Sequence, residues 1–245
     1  MTNVLAVAFS PNGQRIVTGT GSYNHDQRVT GSGDQAAQVW ERVSGKKLRS
    51  LTGHTSGISS VAFSPDSRRI VTGSGDRTAI VWDAASERKL HTLVGHTASI
   101  SSVAISSDGQ RIVTGSLDMT ARVWDAATGR ELFKLVRHSS EVCAVAFSSD
   151  GKRIVTGGSF DQTVRIWDAA TRLVECTIET PMFRVTCVAF SPDCRRIAAG
   201  GWPRAAMIWE LGTDREPLTL NGHSTVVTSV AFSPDGQRIV TGSYD

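Results

Sequence analysis

At 245 residues, with 40% apolar and 20% charged side chains and 23 glycines, the chain has the ordinary mix of a folded protein, which excludes disordered and fibrous classes. A domain of this size hides roughly 70% of the surface its unfolded form exposes, so one compact unit is feasible. A net charge of +3 exerts little pull on phosphate backbones, which makes nucleic acid an unlikely partner class.

The opening stretch MTNVLAVAFSPNG carries no basic start and no apolar run of leader length, and nowhere do about 18 apolar residues occur together. The chain therefore reads as soluble, unexported and cytoplasmic, with no membrane partner. Cys143, Cys176, Cys187 and Cys194 form no CxxC pair, so they read as free thiols in a reducing compartment.

From Val7 onward the chain repeats itself. VAFSPNGQRIVTG at Val7 to Gly19 returns as VAFSPDSRRIVTG from Val61, VAISSDGQRIVTG from Val103, VAFSSDGKRIVTG from Val145, VAFSPDCRRIAAG from Val188 and VAFSPDGQRIVTG from Val230. Trp40, Trp82, Trp124, Trp167 and Trp209 follow at spacings of 42, 42, 43 and 42 residues. A period in this range marks stacked supersecondary units. Each unit opens with an apolar strand such as SSVAF and passes through a turn of the Pro-Asp-Gly type, in which proline, where present, presets φ and glycine accepts the left-handed position. The strands RIVTG and TAIVW follow, and a fourth lies around Lys89 to Leu93. The units fall at about 3–51, 57–93, 99–135, 141–178, 184–220 and, in part, 226–245, within a single domain spanning 1–245.

Four-stranded units of this length, with Gly53-His54 before Trp82-Asp83 and Gly95-His96 before Trp124-Asp125, resemble the WD40 repeat family; Gly222-His223 has no tryptophan after it. The resemblance implies an all-β fold, a WD40-type β-propeller of five four-stranded blades and a two-stranded partial sixth. It also implies a buried hydrogen-bond set in each blade: His54, Thr72, Asp76 and Trp82; His96, Thr114, Asp118 and Trp124; His138, Thr156, Asp161 and Trp167. A buried indole N–H, hydroxyl and carboxylate are each costly unless paired, which is the physical reason for such a set. A His, Asp and hydroxyl together also suggest nucleophilic catalysis, but a catalytic triad is needed once and this set recurs. No catalytic residue, metal site or cofactor is assigned.

Departures from the repeat carry further information. The first unit holds 12 extra residues between Arg15 and Trp40. These are either a partial duplication, with ValThrGly at 17–19 echoed at 29–31, or a partner-contacting loop of Tyr23, Asn24, His25 and Asp26. In the fifth unit Glu179-Thr180 replaces Gly-His, Ala199 the strand threonine and Pro203 the turn aspartate, so its set cannot form and its local stability should be lowest. The outer units leave no complete ring closure visible: the ring either closes imperfectly on the sixth unit or belongs to a longer array.

Family members generally bind partners on the loops that join the fourth strand to the next first strand and the second to the third. In the fourth to sixth units these carry Phe160, Met182, Phe183, Arg184, Trp202, Arg204 and Tyr244, aromatic and arginine side chains of the kind that dominate binding energy. The alternative is that Phe183 and Trp202 plug gaps left by the degenerate fifth set. Arg15, Arg69, Arg111, Arg153, Arg196 and Arg238 open each second strand shortly after an Asp or Asn, which suggests local charge pairing. With no GxxxxGK[ST] loop and no HRD or DFG set, the leading expectation is a non-catalytic scaffold for proteins or peptides. A non-autonomous fragment of a larger signalling protein comes second, and a propeller enzyme, which would need unrepeated polar residues from several blades, third.

Overall fold

The computed structural model describes residues 3–23, 29–30 and 35–245. All of its regular elements are β-strands. The first sheet runs Asn3–Phe9, Arg15–Tyr23, Ala36–Glu41 and Lys47–Thr52 in spatial order, and a two-residue strand, Val29–Thr30, pairs with Ser22 and Tyr23. Asn24, His25 and Asp26 lie outside the described residues.

Four further sheets repeat the order. They are Ile58–Phe63, Arg69–Ser74, Thr78–Asp83 and Lys89–Val94; Ile100–Ile105, Arg111–Ser116, Ala121–Asp125 and Glu131–Leu135; Val142–Phe147, Arg153–Gly158, Thr163–Asp168 and Val174–Glu179; and Arg184–Phe190, Arg196–Trp202, Ala206–Glu210 and Leu218–Leu220. The sixth has two strands, Val227–Phe232 and Ile239–Ser243. This is the all-β blade architecture expected of a WD40-type propeller with a partial sixth blade.

Repetition extends to backbone irregularities. The first two strands slip register at the same place in each hairpin described, between Ile58 and Ser60, Val142 and Ala144, and Val185 and Cys187, for example. A second slip falls at the tryptophan, between Val81 and Trp82 and between Ile166 and Trp167. Bulges sharpen twist and re-aim side chains. The Ser-Pro-Asp turn closes identically: Ser64 Oγ accepts from Arg69 N at 2.8 Å and donates to Asp66 at 2.5 Å, as Ser191 does with Arg196 and Asp193.

By compactness the chain divides into two units, Met1–Asp118 with Arg122–Lys134 and Met119–Ala121 with Leu135–Asp245. In the first, Ile58, Val61, Phe63 and Ile70 of the second sheet pack on Val17, Ala37, Val39 and Leu51 of the first. Ile100, Val103, Ile112 and Trp124 then pack on Val71, Ala79, Val81 and Leu93. In the second unit, Val185 and Ile197 pack on Val155, Val164 and Ile166. Close approach of the next sheet requires glycine in the second strands of the first, second, fourth and fifth sheets. A Cβ on Gly73 would stand 2.7 Å from both Ile100 Cγ2 and Val103 Cγ1, and one on Gly157 would stand 2.6 Å from Val185 Cγ1.

The second-strand arginines reach beyond the expected local pairing. Arg69 donates to the Ala126 carbonyl of the next sheet at 2.9 Å, Arg15 donates to the Ala84 carbonyl and, at 3.2 Å, to that of Ser67, and Arg196 reaches the Gly236 carbonyl at 2.7 Å. Arg111 stands 4.0 Å from its turn carboxylate, Asp108, and Arg153 pairs with Glu175 at 2.6 Å, while the charges of Arg69, Arg153 and Arg196 help to lower Asp66, Asp150 and Asp193 in their turns. The reason is reach: a guanidinium with five donors can span to a carbonyl that inter-sheet packing has removed from water. Arg69→Ala is expected to lower stability by about 1–3 kcal/mol through loss of this charged hydrogen bond, read as a lower urea midpoint. Unchanged stability would show the bridge to be incidental.

Candidate functional site

Three buried hydrogen-bond sets have the same geometry. Trp82 Nε1 donates to Thr72 Oγ1 at 2.9 Å, Thr72 Oγ1 lies 2.7 Å from His54 Nε2, and His54 Nδ1 lies 2.8 Å from Asp76 Oδ2. The third sheet repeats this through Trp124, Thr114, His96 and Asp118 at 2.9, 2.8 and 2.8 Å, and the fourth through Trp167, Thr156, His138 and Asp161 at 2.9, 2.7 and 2.6 Å. A neutral imidazole with its proton on Nδ1 satisfies the whole chain: indole N–H to hydroxyl, hydroxyl to Nε2, Nδ1–H to carboxylate. Asp76 is then completed by Thr78, through its hydroxyl at 2.7 Å and its N–H at 2.9 Å, and by the Thr55 N–H at 2.9 Å.

Such a set supports the fold and offers nothing to a substrate. Thr72, Thr114 and Thr156 are fully buried, and each hydroxyl already accepts from a tryptophan and faces a histidine. Burial pushes Asp76 and Asp161 up, but the hydrogen bonds from their histidines and threonines outweigh it and hold both carboxyls below their ordinary range. The four cysteines are free thiols, and burial pushes Cys187 up to about 12.

In the fifth sheet Ala199 stands at the threonine position, fully buried, and Thr180 Oγ1 accepts from the Met182 N–H at 3.2 Å. Met182, expected on an exposed binding edge, is buried instead among Val155, Val164, Val185 and Ile197. The connection from Thr180 to Val185 is one residue longer than that from His96 to Ile100, and Met182 supplies flexible apolar volume where the histidine relay is missing. Arg184 is half-buried and hydrogen-bonds the Cys143 thiol, so it too is drawn inward. Phe183 and Trp202 do not plug gaps, being 55% and 47% exposed.

What is left on the surface is an aromatic edge. Phe160, Phe183, Trp202 and Tyr244 are exposed, as is Arg204. All lie in the second unit: Phe160, Phe183 and Arg204 on connections, Trp202 at the end of the fifth sheet's second strand, and Tyr244 just past the sixth sheet's second strand. Arg184 and Trp202 are register partners across the first two strands of the fifth sheet, and the Phe160 N–H donates to Ser140 Oγ at 3.2 Å, tying two neighbouring connections together. Phe9, on a strand of the first sheet, is exposed as well.

The family profile described as WD domain, G-beta repeat matches residues 2–41, 45–83, 87–125, 129–168, 176–210 and 215–245. The chain belongs to the WD40 repeat family. WD40 repeats build surfaces for protein interaction. Two curated relatives share short stretches. An uncharacterized WD repeat-containing protein of Synechocystis is 36% identical over 63 residues, 26% of this chain and 15% of that protein. Nuclear distribution protein PAC1 of Mycosarcoma maydis is 38% identical over 42 residues, 17% of this chain and 9% of that one. The chain thus matches less than a fifth of the length of either.

One further WD40 set escapes a reading anchored on tryptophan. In the sixth repeat His223 Nε2 lies 2.8 Å from Thr241 Oγ1 and Nδ1 lies 3.0 Å from Asp245 Oδ1. Gly222-His223 was the available signal. Its exposure is greater, with side chains 27% and 26% accessible against 0% and 9% for His54 and Asp76. Thr72→Val should therefore cost about 2–5 kcal/mol, leaving Trp82 Nε1 and His54 Nε2 buried and unpaired, whereas Thr241→Val should cost under about 1 kcal/mol. Paired thermal melts check the contrast, and equal losses would refute it. Because the folded Asp76 and Asp161 carboxyls lie below their ordinary range, the stability they confer is complete near neutrality. It is lost as pH falls through the ordinary carboxylate range and on into the lowered range of the folded carboxyls. Asp76→Asn should flatten the acid limb of a Tm against pH curve; an unchanged limb would place the acid sensitivity elsewhere.

Proposed function

We propose that this WD40 chain is a non-catalytic interaction scaffold that binds a peptide segment of a partner protein along the edge formed by Phe160, Phe183, Trp202 and Tyr244. The observation that carries the reading is the concentration of exposed aromatic side chains at the same edge of consecutive repeats, where Phe160, Trp202 and Tyr244 stand at the positions held by Gly75 and Leu117 in the second and third repeats. Aromatic rings supply large contact area with few rotors to immobilise, which makes them effective anchors. Arg204 beside them adds a donor for a carbonyl or carboxylate. The free thiols support a reducing, cytoplasmic setting.

Selection of peptides from a displayed library against the chain tests this reading. Selected peptides should lose at least about tenfold in affinity, some 1.4 kcal/mol, with Phe183→Ala and Trp202→Ala. They should keep full affinity with Val43→Ala, an exposed apolar site in the other unit. Peptides indifferent to the two aromatic changes would overturn the proposal.

A further inference from the structure

In the second, third and fourth repeats the buried relay places one carboxylate at the loop edge of its sheet, that of Asp76, Asp118 and Asp161 in turn. Burial pushes Asp76 and Asp161 up, but histidine and threonine hydrogen bonds prevail and keep both ionised near neutrality. Their imidazole partners are neutral, so each of these edges carries a negative charge. The fifth repeat reverses that sign. Pro203 replaces the aspartate, and two arginines, Arg184 and Arg204, stand on either side of it in the chain.

Arg204 occupies a left-handed turn position, φ 51°, which Arg77, Met119 and Gln162 hold in the second, third and fourth repeats at 75°, 68° and 56°. The turn is therefore shared, and only the side chains differ. Arg77 follows Gly75 and Asp76, so a carboxylate adjoins it and no aromatic ring does. Arg204 follows Trp202 and Pro203, is exposed, and makes no ion pair among the described residues. Arg184 is the register partner of Trp202, is half-buried, and bonds the neutral thiol of Cys143. Register partners have Cα atoms about 4.5–5.5 Å apart, so Phe183, Arg184, Trp202 and Arg204 share one corner of the fifth sheet. Glu141, whose charge reaches the same thiol, lies on the connection that leads into the fourth sheet. Arg204 is thus the cation that an arriving partner meets first.

Resting on the peptide-binding reading above, we infer that the segment held at this corner is acidic. An Asp or Glu carboxylate of the partner accepts from the Arg204 guanidinium, and Arg184 adds positive potential behind it. An aromatic or large apolar side chain beside that acid packs on Phe183 and Trp202. Rings that exclude water from a charged hydrogen bond strengthen it, which couples the two contacts.

Titration calorimetry on the 245-residue chain, with peptides selected from an unmodified displayed library, tests this. Selected peptides should carry an Asp or Glu beside an aromatic or large apolar residue. Changing that acid to its amide, or Arg204→Gln in the chain, should each weaken binding about tenfold. Both changes together should lose little more than either alone, the mark of a direct contact. Arg204→Glu should restore binding to the same peptides with Lys in place of the acid, a reversal that a damaged fold could not give. Gln162 already occupies this turn position in the fourth repeat, so Arg204→Gln should leave near-ultraviolet circular dichroism unchanged. Arg77→Gln should leave affinity as it was. Peptides that lose affinity with Phe183→Ala and Trp202→Ala, yet show no acidic preference and ignore Arg204→Gln, would overturn this inference and leave the aromatic edge standing. Peptides indifferent to all three changes would remove the edge itself, and this inference with it.

Discussion

A four-stranded sheet of some forty residues has two faces, and no single repeat can bury either one alone. The apolar pattern of every strand therefore presupposes a neighbour. Ile70, Ile112, Ile154 and Ile197 are fully buried for this reason, as are the valines and alanines on the opposite faces of their sheets. The glycine of each second strand follows from the same demand, since a methyl group at Gly73 or Gly200 would push the adjoining sheet away. So do the arginines that cross from one repeat to a carbonyl in the next.

Within each repeat, the Trp-Thr-His-Asp chain addresses a different difficulty. The third strand must bury a tryptophan, and burying a tryptophan strands an indole N–H. Passing that donor through a hydroxyl and an imidazole to a half-buried carboxylate satisfies every atom, and the carboxylate in turn gathers the backbone N–H groups of the loops on that edge. The relay therefore sets loop geometry as well as core polarity. Where it is absent, in the fifth repeat, the connection lengthens and an apolar side chain fills the space. The fifth repeat carries exposed Phe183 and Trp202 at the same edge, while Phe160 stands beside the intact relay of the fourth repeat.

Much of this was legible in the linear chain because it is local. The tryptophan spacing, the Ser-Pro-Asp turns and the His, Thr and Asp positions lie within about forty residues of one another, and each is repeated with little change. The degeneracy of the fifth repeat was legible for the same reason: Thr180, Ala199 and Pro203 stand where the pattern calls for other residues. Position alone could not separate Met182 from Phe183. They are adjacent and both apolar, and only the packing on Val155 and Val164 turns one inward and leaves the other outside.

The sequence by itself determined the repeat, the strand order, the turn chemistry and the composition of the buried relays, since each depends on residues close in the chain and on the period at which they return. Tertiary structure alone decided which arginines bridge sheets and which of the unusual fifth-repeat residues reach solvent. Those outcomes depend on what lies across from a side chain, and nearly identical repeats carry no local mark of whether a neighbour is there: Val7 and Val61 sit in the same words of sequence, one 61% exposed and the other 8%.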